Sequence, residues 1–238
     1  MPSKRLIVNA DDFGLHPAVN RGILKAHVEG VVTSTSLMVR APAAAEAADQ
    51  SRDHPRLSVG LHVDIAEWRF DGGSWHPIYQ VVDPTDARAL EEEVARQWKG
   101  FRELMGRSPT HIDSHQHAHR DNPLRSILKR LAEQHRIPLR QVSTDITYCG
   151  WFYGQTDRSE PWPEAILPEG FLQVVRDMHA PVIELGCHPS DGSEIDSSYN
   201  LERGIECRTL CDPGLRSALE ADGVVLCSFA DWRQPDAS

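Results

Sequence analysis

RLIVNADDFG, residues 5–14, runs an apolar stretch of Leu6, Ile7 and Val8 into two adjacent carboxylates, Asp11 and Asp12, and then Gly14. The apolar run reads as a buried strand. Two neighbouring negative charges at its end repel each other, and burying them is costly unless positive charge sits beside or between them. The stretch therefore predicts a strand whose C-terminal end carries chemistry.

The same order, a short apolar run and then a longer amphipathic segment, recurs along the chain. Strands are expected at 5–10, 32–39, 57–63, 110–114, 138–142, 182–187 and 224–229, with helices at 17–29, 42–52, 86–105, 123–135, 164–178 and 213–221. Pro stands at several helix starts, and Gly30, Gly106 and Gly223 stand where helices should stop. Alternation of β and α calls for a parallel sheet, closed into a barrel or open and doubly wound. No linker divides the chain, so residues 1–238 are expected to form a single domain. Three long connections, 67–85, 145–163 and 190–211, follow strand ends. The first carries Trp68, Trp75, His76 and Tyr79, and the second Tyr148, Trp151, Phe152, Tyr153 and Trp162. Such aromatic faces either line a ligand groove or pack on each other or on a second subunit.

Acidic residues outnumber basic ones, 35 to 25, giving a net charge of −10. That balance argues against nucleic acid and against an anionic membrane surface as partners. The five cysteines are odd in number and scattered late in the chain, which is no secreted disulfide framework. No stretch approaches the ~18 apolar residues of a membrane span, and the opening MPSKRLIVNADD has no apolar signal core, so a cytoplasmic protein is expected.

Twelve histidines are unevenly spread, and the densest run is THIDSHQHAHRDNP, residues 110–123. His111, Asp113, His115, His117 and His119 recur at every second position, so in an extended segment they share one face. In LSVGLHVDI, residues 57–65, the apolar positions share one face and Ser58, Gly60, His62 and Asp64 the other. An Asp with two His is a common ligand set for a catalytic divalent ion. One of Asp11 and Asp12 would then bind the ion, and the other would be free to act as a base on a bound water. Spacing alone does not separate His115 from His117 as the second imidazole. VIELGCHPSDG, residues 182–192, ends a strand at His188, a group able to hand on a proton. Arg140 in IPLRQ, at another strand end, is placed to pair with the aspartate that does not bind the ion.

Taken in order, LIVNADDFG, GVVTSTSLMV, VGLHVDI, PTHIDSHQHAH, FYGQT and IELGCHP resemble the YdjC-like carbohydrate deacetylases, a family that includes chitooligosaccharide and hopanoid-biosynthesis deacetylases. The resemblance runs from about residue 5 to about residue 232. It implies an irregular (β/α) barrel of about seven parallel strands, like that of polysaccharide deacetylases, and hydrolysis of an N-acetyl group on an amino sugar or short N-acetylglucosamine-type oligosaccharide. By the same resemblance Asp12, His62 and His115 bind the metal, Asp11 is the base and His188 the acid; Arg140, Asp113 and His117 stand around them. The family is described with Mg²⁺, whereas the softness of an Asp-His-His set favours Zn²⁺. Family habit and the aromatic loops suit a homodimer. The alternatives are another metal-dependent hydrolase on the same barrel and a catalytically silent sugar-binding protein. The loop 67–85 is this chain's own and is expected to help select the sugar.

Overall fold

The computed structural model describes residues 4–71, 73–156 and 158–233. Strand β1 (Lys4–Phe13) stands at the centre of a parallel sheet with β2 (Ser34–Leu37), β3 (Ser58–Val63), β6 (Ile112–Ser114), β7 (Thr147–Cys149) and β8 (Val182–Cys187), in the order β6-β3-β2-β1-β8-β7. A seventh strand, β9 (Val224–Leu226), pairs with the first residues of β1. Helices α1 (Pro17–Val28), α2 (Ala44–Ser51), α3 (Ala87–Met105), α4 (Leu124–His135), α5 (Pro168–Asp177), α6 (Asn200–Leu210) and α7 (Pro213–Ala221) connect and cover these strands. Asp86 caps α3 by accepting from the N–H groups of Arg88 and Ala89, and Gly106 ends it at φ 66°, a left-handed turn that glycine takes without steric cost.

Side-chain alternation splits the strands into two faces. Leu6, Val8 and Ala10 of β1 and Ile183, Leu185 and Cys187 of β8 join Val19 and Ile23 of α1 in the main apolar core outside the sheet. The other face is concave and polar, with Asn9, Asp11, Ser36, His62, Asp113 and Glu184 all buried. Its floor is a second apolar cluster of Ile7, Ile146, Cys227, Phe229 and Trp232. His111 stacks on Phe229 at 4.0 Å. A Cβ on Gly60 would lie 2.3 Å from Nε2 of that imidazole, so only glycine fits there. The expected partition of residues 57–65 into an apolar and a polar face is what β3 shows.

The sheet curls into a half-barrel, and its margin departs from the expected pattern. The strand expected at 138–142 is reduced to one bridge, Ile112 to Leu139, after which a turn follows in which the N–H groups of Val142 and Ser143 both bond the Leu139 carbonyl. Gln141 at φ 63° cannot continue a strand, and the next strand to pair with β8 is β7. The helix expected at 164–178 is divided, with a 3₁₀ turn at Pro163–Ile166 and α5 from Pro168, because a residue before proline is driven out of the helical region and Leu167 sits at ψ 164°. All three long connections contain structure, and β7 lies in the second of them, residues 145–163. Residues 67–85 hold most of an antiparallel hairpin, β4 (Ala66–Asp71) with β5 (Ser74–Gln80), and residues 190–211 hold α6.

Candidate functional site

The pair that ends β1 stands at a bulge. Ala10 pairs with Thr35 and Phe13 with Leu37, so Asp11 and Asp12 together oppose the single Ser36. Asp12 takes φ 68°, a left-handed conformation that aspartate tolerates better than most residues. In a regular strand neighbouring side chains face opposite ways; here both carboxylates reach the concave face. Asp11 Oδ1 accepts from Arg140 Nη1 at 2.5 Å and from Asn9 Nδ2 at 2.7 Å. Asp12 divides its two oxygens: Oδ1 faces His62 Nε2 at 3.4 Å and His115 Nδ1 at 3.1 Å, and Oδ2 accepts from Arg203 Nη2 at 2.5 Å.

His62 comes from β3 and His115 from the residue after β6, so three parallel strand ends converge. Nδ1 of His62 donates to Asp113 Oδ1 at 2.8 Å, which fixes the ring with Nε2 toward Asp12. The histidine run is extended only as far as Ser114. Residues His115–Arg120 form a 3₁₀ turn in which Gln116 and His117 have positive φ, 49° and 56°. His117 therefore leaves the Asp12 group: Gln141 Nε2 donates to its Nδ1 at 2.7 Å and the Tyr148 hydroxyl lies 3.3 Å from its Nε2. His119 is buried between the Ser114 hydroxyl and the Arg140 carbonyl. The residue pattern alone does not choose between His115 and His117; the geometry brings His115 to Asp12.

One potential ligand atom from each of Asp12, His62 and His115 lies within 4.8 Å of the others. Nε2 of His115 is buried and has no hydrogen-bond partner among the described residues. Two imidazole nitrogens and one carboxylate oxygen suit Zn²⁺ better than Mg²⁺, which prefers all-oxygen surroundings. Asp11, His62 and Asp113 form a second such group, but there Arg140 bonds both carboxylates and already supplies the positive charge.

Electrostatics at the site favour a cation. The concave face buries Asp11, Asp12, Asp113 and Glu184 with Arg140 and Arg203. Burial opposes ionisation of Asp12, yet the Arg203 guanidinium and hydrogen bonds from His115 and His62 hold its carboxyl well below the usual carboxylate range. Burial likewise disfavours charge on His62, yet the Asp113 carboxylate raises its pKa well above 6.5. Burial pushes Glu184 up to about 7 even though Arg140 Nε donates to it at 2.5 Å.

Asp11, Asp12, His62, His115 and Arg203 line a cavity of about 600 Å³. Trp68 and Trp75 line it from the hairpin, and Tyr148, Phe152, Tyr153 and Tyr199 from the opposite side. Of the aromatic residues in the second long connection, Trp151 and Trp162 instead point to solvent, 70% and 47% exposed. His188 follows β8 with Nε2 3.9 Å from Asp11 Oδ2; burial, with a smaller contribution from Arg203, pushes its imidazole down to about 4. Arg203 and Glu206 were not singled out by sequence reasoning. Both lie on α6, whose buried residues include Glu202, Arg203, Glu206 and Thr209, so no apolar stripe announces the helix.

The family model for YdjC-like proteins matches residues 5–221. A chitooligosaccharide deacetylase of Serratia marcescens is 33% identical, with 96% of this chain and 99% of that protein covered. A carbohydrate deacetylase of Geobacillus stearothermophilus is 32% identical, covering 95% and 97%. Among solved structures, a candidate cellobiose-phosphate cleavage protein of Enterococcus faecalis V583 is 27% identical with a TM-score of 0.74 over 95% of this chain and 98% of that one. A T48 deacetylase with substrate is 15% identical with a TM-score of 0.51 over 95% and 89%, a likeness of fold.

Proposed function

The chain belongs to the YdjC-like protein family, and from that premise we propose that it is a metal-dependent carbohydrate deacetylase that hydrolyses the N-acetyl group of an amino sugar or short N-acetylglucosamine-type oligosaccharide, releasing acetate. The observation that carries this reading is Asp12 flanked by two imidazoles, with the Asp11 carboxylate beside it in the lining of an aromatic cavity.

Asp12, His62 and His115 would hold one divalent ion, with Zn²⁺ the best fit to the donor set. When bound, such an ion polarises an amide carbonyl and makes a neighbouring water more acidic. Asp11 is the proton acceptor: Arg140 and Asn9 tie down its Oδ1, which leaves Oδ2 to take a proton from the attacking water. His188 is neutral near pH 7 because its pKa is pushed down to about 4, so it does not start the reaction as an acid. Its Nε2 lies 3.9 Å from Asp11 Oδ2, a gap that one water or a small approach bridges, so it collects that proton and passes it to the departing amine. The aromatic walls orient the sugar, and the tryptophans of the hairpin give its apolar faces a surface to stack on.

The test is acetate release from N-acetylglucosamine and its short oligomers, before and after chelator treatment and after adding back Zn²⁺ or Mg²⁺. Metal-dependent release is expected, with Zn²⁺ the better activator. Absence of release from the whole series, or release that chelation leaves unchanged, rejects the proposal.

A further inference from the structure

We propose that Arg203 and Glu206, three residues apart on α6, act as a pair of positioning residues that hold His188 in a fixed relation to Asp12. The inference rests on the reading that Asp12 and His188 serve one deacetylation site, and it adds residues to that site.

Arg203 spans two partners. Its Nη2 donates to Asp12 Oδ2 at 2.5 Å, and its Nη1 donates to the His188 carbonyl at 3.3 Å. Glu206 takes the other side of His188: its Oε2 accepts from the His188 backbone N–H, and its Oε1 accepts from the Tyr199 hydroxyl at 2.6 Å. The main chain of α6 adds a third hold, since the Ser190 N–H bonds the Arg203 carbonyl at 3.1 Å. Residues 188–190 are thus gripped at the backbone by one helix, and the same helix touches the Asp12 carboxylate.

Helix docking alone does not call for these side chains. Arg203 and Glu206 are 5% and 0% exposed, and buried ionic groups exchanged for apolar ones of like size are often neutral or stabilising. What they supply is position. The His188 side chain approaches the aspartate pair at 3.9 Å, Nε2 to Asp11 Oδ2, and no described residue hydrogen-bonds its buried Nδ1. Its ring meets Tyr153 and Tyr199 edge-on at 5.8 and 5.7 Å, and Glu206 holds Tyr199, so the ring is steered through the backbone that carries it and through that tyrosine. A misplacement of about 1 Å at a reacting group lowers rates on the order of a hundredfold.

The experiment uses the full chain loaded with Zn²⁺ and compares Glu206→Gln, Arg203→Met and Arg203→Lys, the first also in a His188→Ala background. Glu206→Gln is expected to lower kcat about tenfold with KM within about twofold, and to cost less than about twofold once His188 is absent, because residues that act through one another are not additive. Arg203→Met is expected to weaken Zn²⁺ binding, read by chelator competition, by about 10- to 100-fold, the usual effect of losing a partner of a ligand, while Glu206→Gln leaves it within about threefold. An equal loss from Glu206→Gln in both backgrounds, or unchanged Zn²⁺ affinity in Arg203→Met, overturns the proposal. If Arg203→Met does not fold, Arg203→Lys decides: a single ammonium retains Asp12 but not the second arm, so near-normal Zn²⁺ affinity with reduced kcat is expected, and a normal kcat overturns it. If the parent protein releases no acetate from any sugar tried, the deacetylase reading fails first. The Zn²⁺ titrations then still judge Arg203, and the His188 ring resonances of ¹⁵N-histidine-labelled protein judge Glu206, whose Gln variant must move them.

Discussion

Asp113 accepts a hydrogen bond from Nδ1 of His62 at 2.8 Å, and that contact decides which nitrogen the ring turns toward Asp12. The second Asp113 oxygen accepts from Ser36 at 3.1 Å and also bonds Arg140, so the carboxylate is anchored before it orients the imidazole. Asn in place of Asp113 would turn either its NH₂ or its weaker amide oxygen toward Nδ1. The first choice forces the proton onto Nε2, the nitrogen needed for a cation. Asp113→Asn is therefore expected to weaken Zn²⁺ binding by about 10- to 100-fold, measured by competition with a chromogenic chelator. Wild-type affinity in this variant would show that Asp113 does not govern the ring.

Asp11 and Asp12 are neighbours with different surroundings, and the difference predicts separable roles. Asp11 is bonded through Oδ1 to Arg140 and Asn9; Asp12 faces the two imidazoles. Asp11→Asn should keep Zn²⁺ affinity within a few-fold and reduce kcat by roughly 10²–10⁴, the range for a lost general base. Loss of the metal with this substitution would mean that the two aspartates exchange roles.

Burial leaves a pH signature. It is the leading cause that pushes His111 and His117 down to about 3 and His119 and His188 down to about 4. The unfolded chain takes up these protons near pH 6.5 and the folded chain does not. Their contribution to stability is thus complete above pH 6.5 and is lost as pH falls toward 4, by up to about 1.4 kcal/mol per pH unit for each histidine. Glu184 and Glu206, raised by burial to about 7 and about 8, work in the opposite sense: their contribution is complete below about pH 4.5 and is lost as pH rises to those values. His62, raised well above 6.5, adds to the alkaline loss. For the chelator-treated protein, urea unfolding should show greatest stability near pH 6.5, and His111→Gln should make the acid limb shallower. An acid limb of unchanged slope in that variant would remove His111 from the account.

Much of this site is legible in the residues because strand ends in a parallel sheet converge. The alternation in residues 57–65 sends His62 inward, and Arg140 does pair with Asp11, the aspartate beside the one that meets the imidazoles. What was hidden depends on backbone choices with no periodic signal. Nothing in NADDFG announces that Asp12 turns to φ 68°, yet that turn brings both carboxylates to one face. Regular alternation of His115 and His117 is likewise broken by two left-handed residues, Gln116 and His117. Helix α6 escaped because its buried face is ionic, which also hid Arg203, the partner of Asp12. The hairpin escaped because β5 is exposed on both faces and shows no alternation of burial.

Gln116 ties that hairpin to the site, and its removal separates binding from chemistry. Its side-chain amide copies a strand partner: Oε1 accepts from the Trp68 N–H at 2.9 Å and Nε2 donates to the Trp68 carbonyl at 2.7 Å. A second tie joins the hairpin to the segment before α6, where Arg69 meets Asp196 at 3.1 Å, but both of these side chains reach solvent and such pairs contribute little. Gln116→Ala leaves the hairpin's own ladder intact and frees its position over the cavity. Each net hydrogen bond is worth about 1 kcal/mol, so KM for an N-acetylglucosamine oligomer should rise about three- to tenfold. Because the amide reaches neither Asp11 nor His188, kcat should stay within about twofold. A fall in kcat at unchanged KM would place the hairpin's influence on the reacting groups, and an unchanged KM would mean that Trp68 and Trp75 do not bear on the sugar.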